Sequence, residues 1–491
     1  MTERFDGTGP LDGTEPFDGT GPFDGTGPFD VTGPFDVAVV GGGVVGCAVA
    51  RALSLLHLRV ALVEARNDVG AGTSKANTAI LHTGFDSVPG SVEARLVARG
   101  YELLGVYAPT VGISVEQTGA VLVAWDDEQA ANLPKLQAKA AANGYAHAEV
   151  LDAATVRSME PHLGAGVTGG MTVPGEHIID PWSTPLAFAT EAVVNGCTLF
   201  TNLHVTELEV GAEATTLVGE DGRTVTTRFV VNAAGLHGDT LHRLFGFDGF
   251  TIRPRRGELI VFDKLARPLL GRTILPVPTA HTKGVLVAPT VFGNIMLGPT
   301  ADDIDDRGAT GSTRAGLDGL LQKGHRILPA LLDEEVTAVY AGLRAATEHS
   351  DYQLSSDRSA RYVCLGGIRS TGLTASMALA EEAVRMLHEL GLGVREKAPD
   401  DVVAVHLTPL GEAGERPYQR GGTVVCHCER VTADEIDDAI EAPVPATDLD
   451  GLRRRTRVLA GRCQGFYCAA EVCAHAAVAS DRPISEWMGL R

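Results

Sequence analysis

Apolar and polar positions divide the chain into stretches of different character. Up to residue 34, large apolar residues come singly. Phe5, Leu11, Phe17, Phe23 and Phe29 recur at every sixth position, Phe35 continues the series, and each is followed by Asp. Gly, Thr and Pro fill the gaps. A solenoid rung needs several stacked apolar positions, and these units supply one each. Pro in every unit also removes a backbone donor, and the nonapeptide spacing of calcium-binding β-rolls is absent. The pattern predicts a disordered, extended tail over 1–34.

At Phe35 the text condenses. FDVAVV is a β-branched run suited to a buried parallel strand, CAVARALSLLH reads as a helix, and RVALVE reads as a second strand ending at Glu64. Farther on, RFVVNAAG is another strand, and YVCLGGIRSTGLTASMALAEEAVRML gives strand, Gly-Gly turn and long helix. After Val394 the chain becomes charged and rich in Pro and Gly, which predicts a linker over 396–420. TADEIDDAI then predicts a helix capped by Thr432.

Between the first strand and its helix lies GGGVVG, where Gly41, Gly43 and Gly46 match GxGxxG. Gly41 permits the tight turn, Gly43 lets a pyrophosphate approach the backbone, and Gly46 lets helix and strand pack closely. The helix start offers free N–H groups to the phosphates. Glu64, closing the second strand, can accept hydrogen bonds from a ribose, which favours FAD or NAD over NADP. The downstream strands and long helix select a flavoprotein whose FAD domain is assembled from separated segments. The helix after Thr371-Gly372-Leu373 would aim its N-terminus at the flavin pyrimidine edge.

The matching stretches are TSKANTAILHTGFD, VPTAHTKGVLVAPTVFGNIMLGPTADD, YAGLRAATE and GGIRSTGLTAS. Over about residues 36–395 the chain resembles the flavin-dependent glycerol-3-phosphate dehydrogenases and oxidases of the D-amino-acid-oxidase-like superfamily. The resemblance implies hydride transfer from an alcohol carbon to flavin N5, with His82 as base. It implies Arg344, Lys283 and Ser370 in the pocket for a small anionic substrate, phosphorylated or carboxylated. An imidazole suits the base role because it titrates near neutral pH. Thr73, Ser74, Val205, Gly235, Gly372, Leu373 and Thr374 would join Gly41, Gly43, Gly46 and Glu64 around FAD. Lys75 would stand at the site entrance.

Five of the eight cysteines lie beyond residue 420. Cys426 and Cys428 form CxC, and Cys463 and Cys468 form CxxxxC. Four thiolates could hold a [2Fe–2S] cluster or structural zinc, and zinc more often uses CxxC pairs. The segment RRRTRVLAGRCQGFYC resembles the small domain of bacterioferritin-associated ferredoxins, which implies the iron–sulfur reading. Cys473 offers an alternative ligand. Cys47, Cys197 and Cys364, in apolar surroundings, read as packing residues.

The predicted fold class is therefore α/β. It comprises a Rossmann-type FAD domain (about 35–95, 150–240 and 340–395), an α+β substrate domain (about 96–149 and 241–339), and a small, mainly helical cluster domain over 421–491. A net charge of −21 argues against nonspecific nucleic-acid binding. No apolar run reaches the roughly 20 residues of a membrane helix, and no basic region followed by an apolar core opens the chain. These features predict a cytoplasmic protein with a redox partner, and they leave a peripheral membrane contact open. The competing functions are oxidation of a 2-hydroxy acid or amino acid, and a non-catalytic electron-transfer subunit.

Overall fold

The computed structural model describes residues 33–278, 284–411 and 422–489. The repeat tail and Lys283 lie outside them. The unit that carries the sheets and the cysteine module begins at Pro34.

The first strand spans Phe35–Val40 and is buried along almost its whole length. Strand Val60–Val63 runs parallel on one side of it and strand Thr224–Asn232 parallel on the other. Thr198–Phe200 extends the sheet beyond Val60–Val63, and Tyr362–Gly366 pairs in parallel with Thr224–Asn232. Strand order thus reverses at Phe35–Val40, and its carboxyl end opens the crevice where such sheets bind dinucleotides. Phe35, the sixth member of the hexapeptide series, packs edge-on against Phe200 at 5.9 Å.

Helix Val44–Ser54 leaves the glycine turn and packs against helices Ser183–Val194 and Gly372–Glu389. Helix Val92–Thr110 lies on Gly372–Glu389 as well. At Gly100 the two come so close that a Cβ there would sit 2.2 Å from the carbonyl oxygen of Thr374.

A second, nine-stranded sheet carries the other half of the molecule. Its spine is a long antiparallel ribbon of Ile252–Phe262 and Val336–Thr347. Strands Glu149–Asp152 and Gly169–Val173 also belong here, paired through Ala120–Ala124. The domain edges therefore differ from expectation. Strands within 150–173 and 340–347, expected in the FAD domain, join the second sheet, whereas residues 96–110, expected in the substrate domain, continue helix Val92–Thr110 against Gly372–Glu389 of the nucleotide half. The strand runs look alike in sequence because both sheets carry fully buried apolar strands, such as Val60–Val63 and Ala120–Ala124.

The expected linker is not loose where it is described. His57 donates its N–H to the Arg395 carbonyl, Lys397 reaches the Asn195 carbonyl, and the Asn195 side chain pairs with Val403 in both directions. Leu407 donates to Val111, and Leu410 ends buried among Ile178, Val291 and Phe292. The alternation is too short to read as an element, but the strap satisfies its backbone against the body.

The C-terminal module starts with the short ladder Val424–Cys426/Val431–Thr432. Helix Ala433–Glu441 follows, with a capping box between Thr432 and Glu435. Helices Leu449–Thr456, Ala469–Ala479 and Ile484–Trp487 complete it around Val431, Ile436, Leu452, Val472 and Trp487. Among the described residues no helix is long and apolar enough to cross a membrane.

Candidate active site and cysteine centre

Gly41 has φ +110°, and a Cβ there would lie 2.4 Å from the Ala233 carbonyl oxygen. At Gly46 a Cβ would lie 1.8 Å from the Gly41 carbonyl oxygen. Both positions are therefore closed to any side chain, while Gly43 faces only the Ser74 hydroxyl. That hydroxyl accepts from Val44 N–H at 2.9 Å, at the start of the first helix. The Glu64 carboxylate accepts from Gly42 N–H at 2.6 Å and from Arg66 N–H at 2.7 Å, which sets it beside the turn. The Glu64 carbonyl binds Leu203 N–H, so the segment leading into Val205 runs past the ribose end. Gly235, at φ +54°, follows the Ala233–Ala234 segment that closes over Gly41. Thr73 donates its hydroxyl to the Leu343 carbonyl and so ties this loop to the second sheet.

Helix Gly372–Glu389 begins without a side-chain cap. Its first N–H groups at Gly372 and Leu373 are available to an acceptor, as a helix aimed at a flavin requires. Thr374 is used differently: it is fully buried, and its hydroxyl accepts from His82 N–H at 3.0 Å. Ser370 sits exposed in the preceding turn at φ +62°.

His82 follows the short strand Ile80–Leu81, and its Nδ1 lies 3.0 Å from Glu176 Oε2. Glu176 is buried, and its other oxygen accepts from Thr83 N–H at 2.6 Å and from the Thr83 hydroxyl at 2.9 Å. Burial pulls the His82 pKa down, but the Glu176 charge and hydrogen bond outweigh it and leave it raised. With Nδ1–H given to the carboxylate, Nε2 is left as the basic nitrogen. Sequence reasoning missed Glu176. It lies far along the chain from His82, in a GEHIID segment with no motif, and only the pairing of Ile80–Leu81 with His177–Ile179 brings it close.

Arg344 stands on the strand Val336–Thr347, half-buried, over Gly257. A Cβ at Gly257 would meet the guanidinium at 2.6 Å and Pro299 at 2.9 Å, so any side chain there would displace Arg344. Arg344 donates to the Thr300 carbonyl at 3.1 Å, and no carboxylate faces it among the described residues. Burial, then the charge of Arg255, lowers its pKa. Two residues earlier, Gly342 packs against the Ala76 carbonyl, and Tyr340 donates to the Asn77 carbonyl. The Arg344 strand thus abuts the loop that leads to His82. Lys75, expected at the entrance, pairs with Asp450 of the C-terminal module at 2.6 Å.

The four cysteines converge in that module. Cys428 and Cys463 lie close enough to act on one another's ionisation, as do Cys426 and Cys468. Backbone N–H groups of Tyr467, Gly465 and Phe466 point at the Cys463 sulfur and lower its pKa. Burial, then the charge of Cys426, pushes Cys468 up to about 12. Four thiols brought together, one of them supported by several backbone N–H groups, suit a cluster that takes them as thiolates. Cys473 is buried in the module core. Cys47, Cys197 and Cys364 are buried in the nucleotide half, as packing residues would be.

Residues 36–386 match the family of FAD dependent oxidoreductases. The chain belongs to that family. Residues 424–474 match the BFD-like [2Fe-2S] binding domain. A glycerol 3-phosphate dehydrogenase of Caloramator mitchellensis is 32% identical over 89% of this chain and 92% of its own length. A mitochondrial L-2-hydroxyglutarate dehydrogenase of Bos taurus is 30% identical, over 54% of this chain and 60% of its own. Among solved structures, the dithionite-reduced L-alpha-glycerophosphate oxidase of Mycoplasma pneumoniae with FAD bound aligns with a TM-score of 0.72. It is 30% identical, over 76% of this chain and 99% of that one.

This flavoenzyme takes FAD, and Gly41, Gly43, Gly46 and Glu64 at the end of Phe35–Val40 are the residues that would hold its dinucleotide. Its C-terminal domain takes a [2Fe–2S] cluster in place of the zinc alternative, and Cys426, Cys428, Cys463 and Cys468 are the residues that would hold it.

Proposed function

We propose that the enzyme oxidises sn-glycerol 3-phosphate to dihydroxyacetone phosphate and that its electrons leave through the [2Fe–2S] cluster to a protein or quinone acceptor. The observation that carries the substrate class is Arg344, a half-buried cation with only a carbonyl partner among the described residues. A guanidinium so placed calls for an anionic ligand, which it can grip with two parallel hydrogen bonds. Lys283 and Ser370 are proposed to complete the grip. The choice of phosphate over carboxylate leans on the dehydrogenase and oxidase relatives, which match over more of the chain than the hydroxyglutarate enzyme does.

FAD, when bound, supplies the hydride acceptor. His82 removes the proton from the substrate hydroxyl through Nε2. Glu176 fixes the ring and stabilises the imidazolium that forms. Arg344 holds the anionic end and sets which carbon faces the flavin. A cytoplasmic setting agrees with thiols kept for iron instead of disulfides.

Anaerobic mixing with glycerol 3-phosphate, 2-hydroxyglutarate and amino acids tests this reading. Glycerol 3-phosphate is expected to bleach the flavin fastest. An oxidised flavin with that substrate, beside bleaching by a carboxylate, would overturn it.

A further inference from the structure

We propose that the C-terminal module works clamped in one pose on the flavoenzyme body, with Arg457 as the positioning residue between the cluster loop and the FAD loop. The module does not detach to deliver electrons. This inference rests on the reading that electrons leave FAD through the cluster.

Three sets of contacts make the clamp. The strap 395–411 is hydrogen-bonded along the body and ends with Leu410 beside Phe292 and Trp182. At the nucleotide end, Asp68 lies four positions past Glu64 and is buried. It receives Arg455 through both oxygens, at 2.7 and 2.8 Å, together with Arg454. Asn67 donates to Asp448 at 2.8 Å, and Lys75 reaches Asp450 at 2.6 Å. At the cluster end, Arg457 takes the left-handed conformation, φ +68°, which turns the chain out of helix Leu449–Thr456. Its guanidinium lies 4.1 Å from the centre of the Phe292 ring and 5.7 Å from that of Trp182, and the two rings stack at 4.9 Å.

These contacts form a continuous path. Glu429 directly follows Cys428, binds Arg457 at 2.8 Å and is also met by Lys264 at 3.1 Å. From Arg457 the path passes through Phe292 to Trp182, whose indole N–H donates to the Lys75 carbonyl at 3.2 Å. Lys75 adjoins Ser74, which meets the helix start at the glycine turn. A cluster ligand and the FAD loop are thereby held by one packed stack. Buried guanidinium–carboxylate pairs and stacked rings have a defined geometry that a shuttling domain would have to remake in every cycle.

In each transfer the reduced flavin loses one electron and the cluster gains one. An external one-electron acceptor then reoxidises the cluster. After two transfers the flavin is oxidised again and its N5 proton has passed to water.

The test uses anaerobically purified holoprotein treated with a zero-length carbodiimide. Mass spectrometry is expected to find amide links Lys75–Asp450 and Lys264–Glu429, both amine–carboxylate pairs in direct contact. After mixing with glycerol 3-phosphate, linked protein should show the reduced-cluster EPR signal at a rate within twofold of unlinked protein. Absence of both links overturns the pose. Linked protein whose flavin bleaches while its cluster stays oxidised overturns the clamp in favour of a shuttle. Unlinked protein that contains cluster but whose flavin does not bleach refutes the substrate reading instead, and the links still report the pose. Arg457→Ala should slow cluster reduction at least tenfold with flavin bleaching within twofold of wild type, and Arg457→Lys should recover part of the loss. Phe292→Leu gives the same reading where Arg457→Ala fails to fold. Unchanged cluster reduction in these variants overturns the role of the stack.

Discussion

Glu176 Oε2 lies 3.0 Å from His82 Nδ1, and the other oxygen of Glu176 is held by Thr83. The carboxylate is thus a fixed support that leaves one nitrogen of the ring for proton transfer. Because Glu176 holds the His82 pKa above the ordinary imidazole value against burial, the base is unprotonated only above that raised pKa. The rate of flavin reduction should rise with pH through it. Glu176→Gln should move this acid limb to lower pH and slow the limiting rate about 10²-fold. The same linkage applies to stability. The His82–Glu176 interaction contributes fully below the unfolded imidazole pKa of about 6.5 and is lost as pH rises through the folded value. A pH profile of stopped-flow flavin bleaching in both proteins checks the shift.

His82→Asn keeps a side chain of similar reach but removes the basic nitrogen. Flavin bleaching should slow by about 10²–10⁴-fold, the usual worth of a positioned base. FAD content should stay at wild-type level, since His82 lies outside the glycine turn. An electron-transfer subunit without its own substrate chemistry would show no change.

Arg344→Lys retains the charge but loses the fork. The expected loss is about 1.5–3 kcal/mol of substrate binding, roughly 10- to 150-fold in KM, with a smaller effect on kcat. Steady-state kinetics with an artificial acceptor separates the two parameters.

Gly46→Ala should abolish FAD binding. The new Cβ would fall 1.8 Å from the Gly41 carbonyl oxygen, so strand and helix must separate and the pyrophosphate turn is lost. The visible flavin spectrum of the purified variant reads this directly.

Cys463→Ser removes one of the four thiols while leaving the flavin site untouched. Iron and acid-labile sulfide should fall to background, and substrate should still bleach the flavin. Since Cys463 is the thiol with the most backbone N–H support, its loss should be felt more than that of Cys473, which packs in the module core.

Much of the architecture was legible in the chain itself. The first described strand begins at Phe35 and the capped helix at Ala433, because local pattern and turn chemistry decide both. The glycine turn and Glu64 were readable because each residue type answers a backbone or ribose need within a short span. Glu176 was not, since an acid gains its role only from a partner brought in by strand pairing. The partner of Lys75 was hidden for a similar reason: Asp450 belongs to a module distant in sequence. The domain edges near 150–173 were obscure because nothing in the short strands Glu149–Asp152 and Gly169–Val173 names the sheet they join.

Thr374 belongs to the first turn of a helix that starts without a side-chain cap, and its hydroxyl holds the backbone of His82. On the roles proposed above, the electron sink and the proton acceptor share one stiff frame, and the angle between hydride and proton departure is inherited as a unit. On the same reading, change in substrate range comes from Arg344, which rides on a separate sheet. Chemistry and choice of molecule are divided between two halves that can vary at different rates.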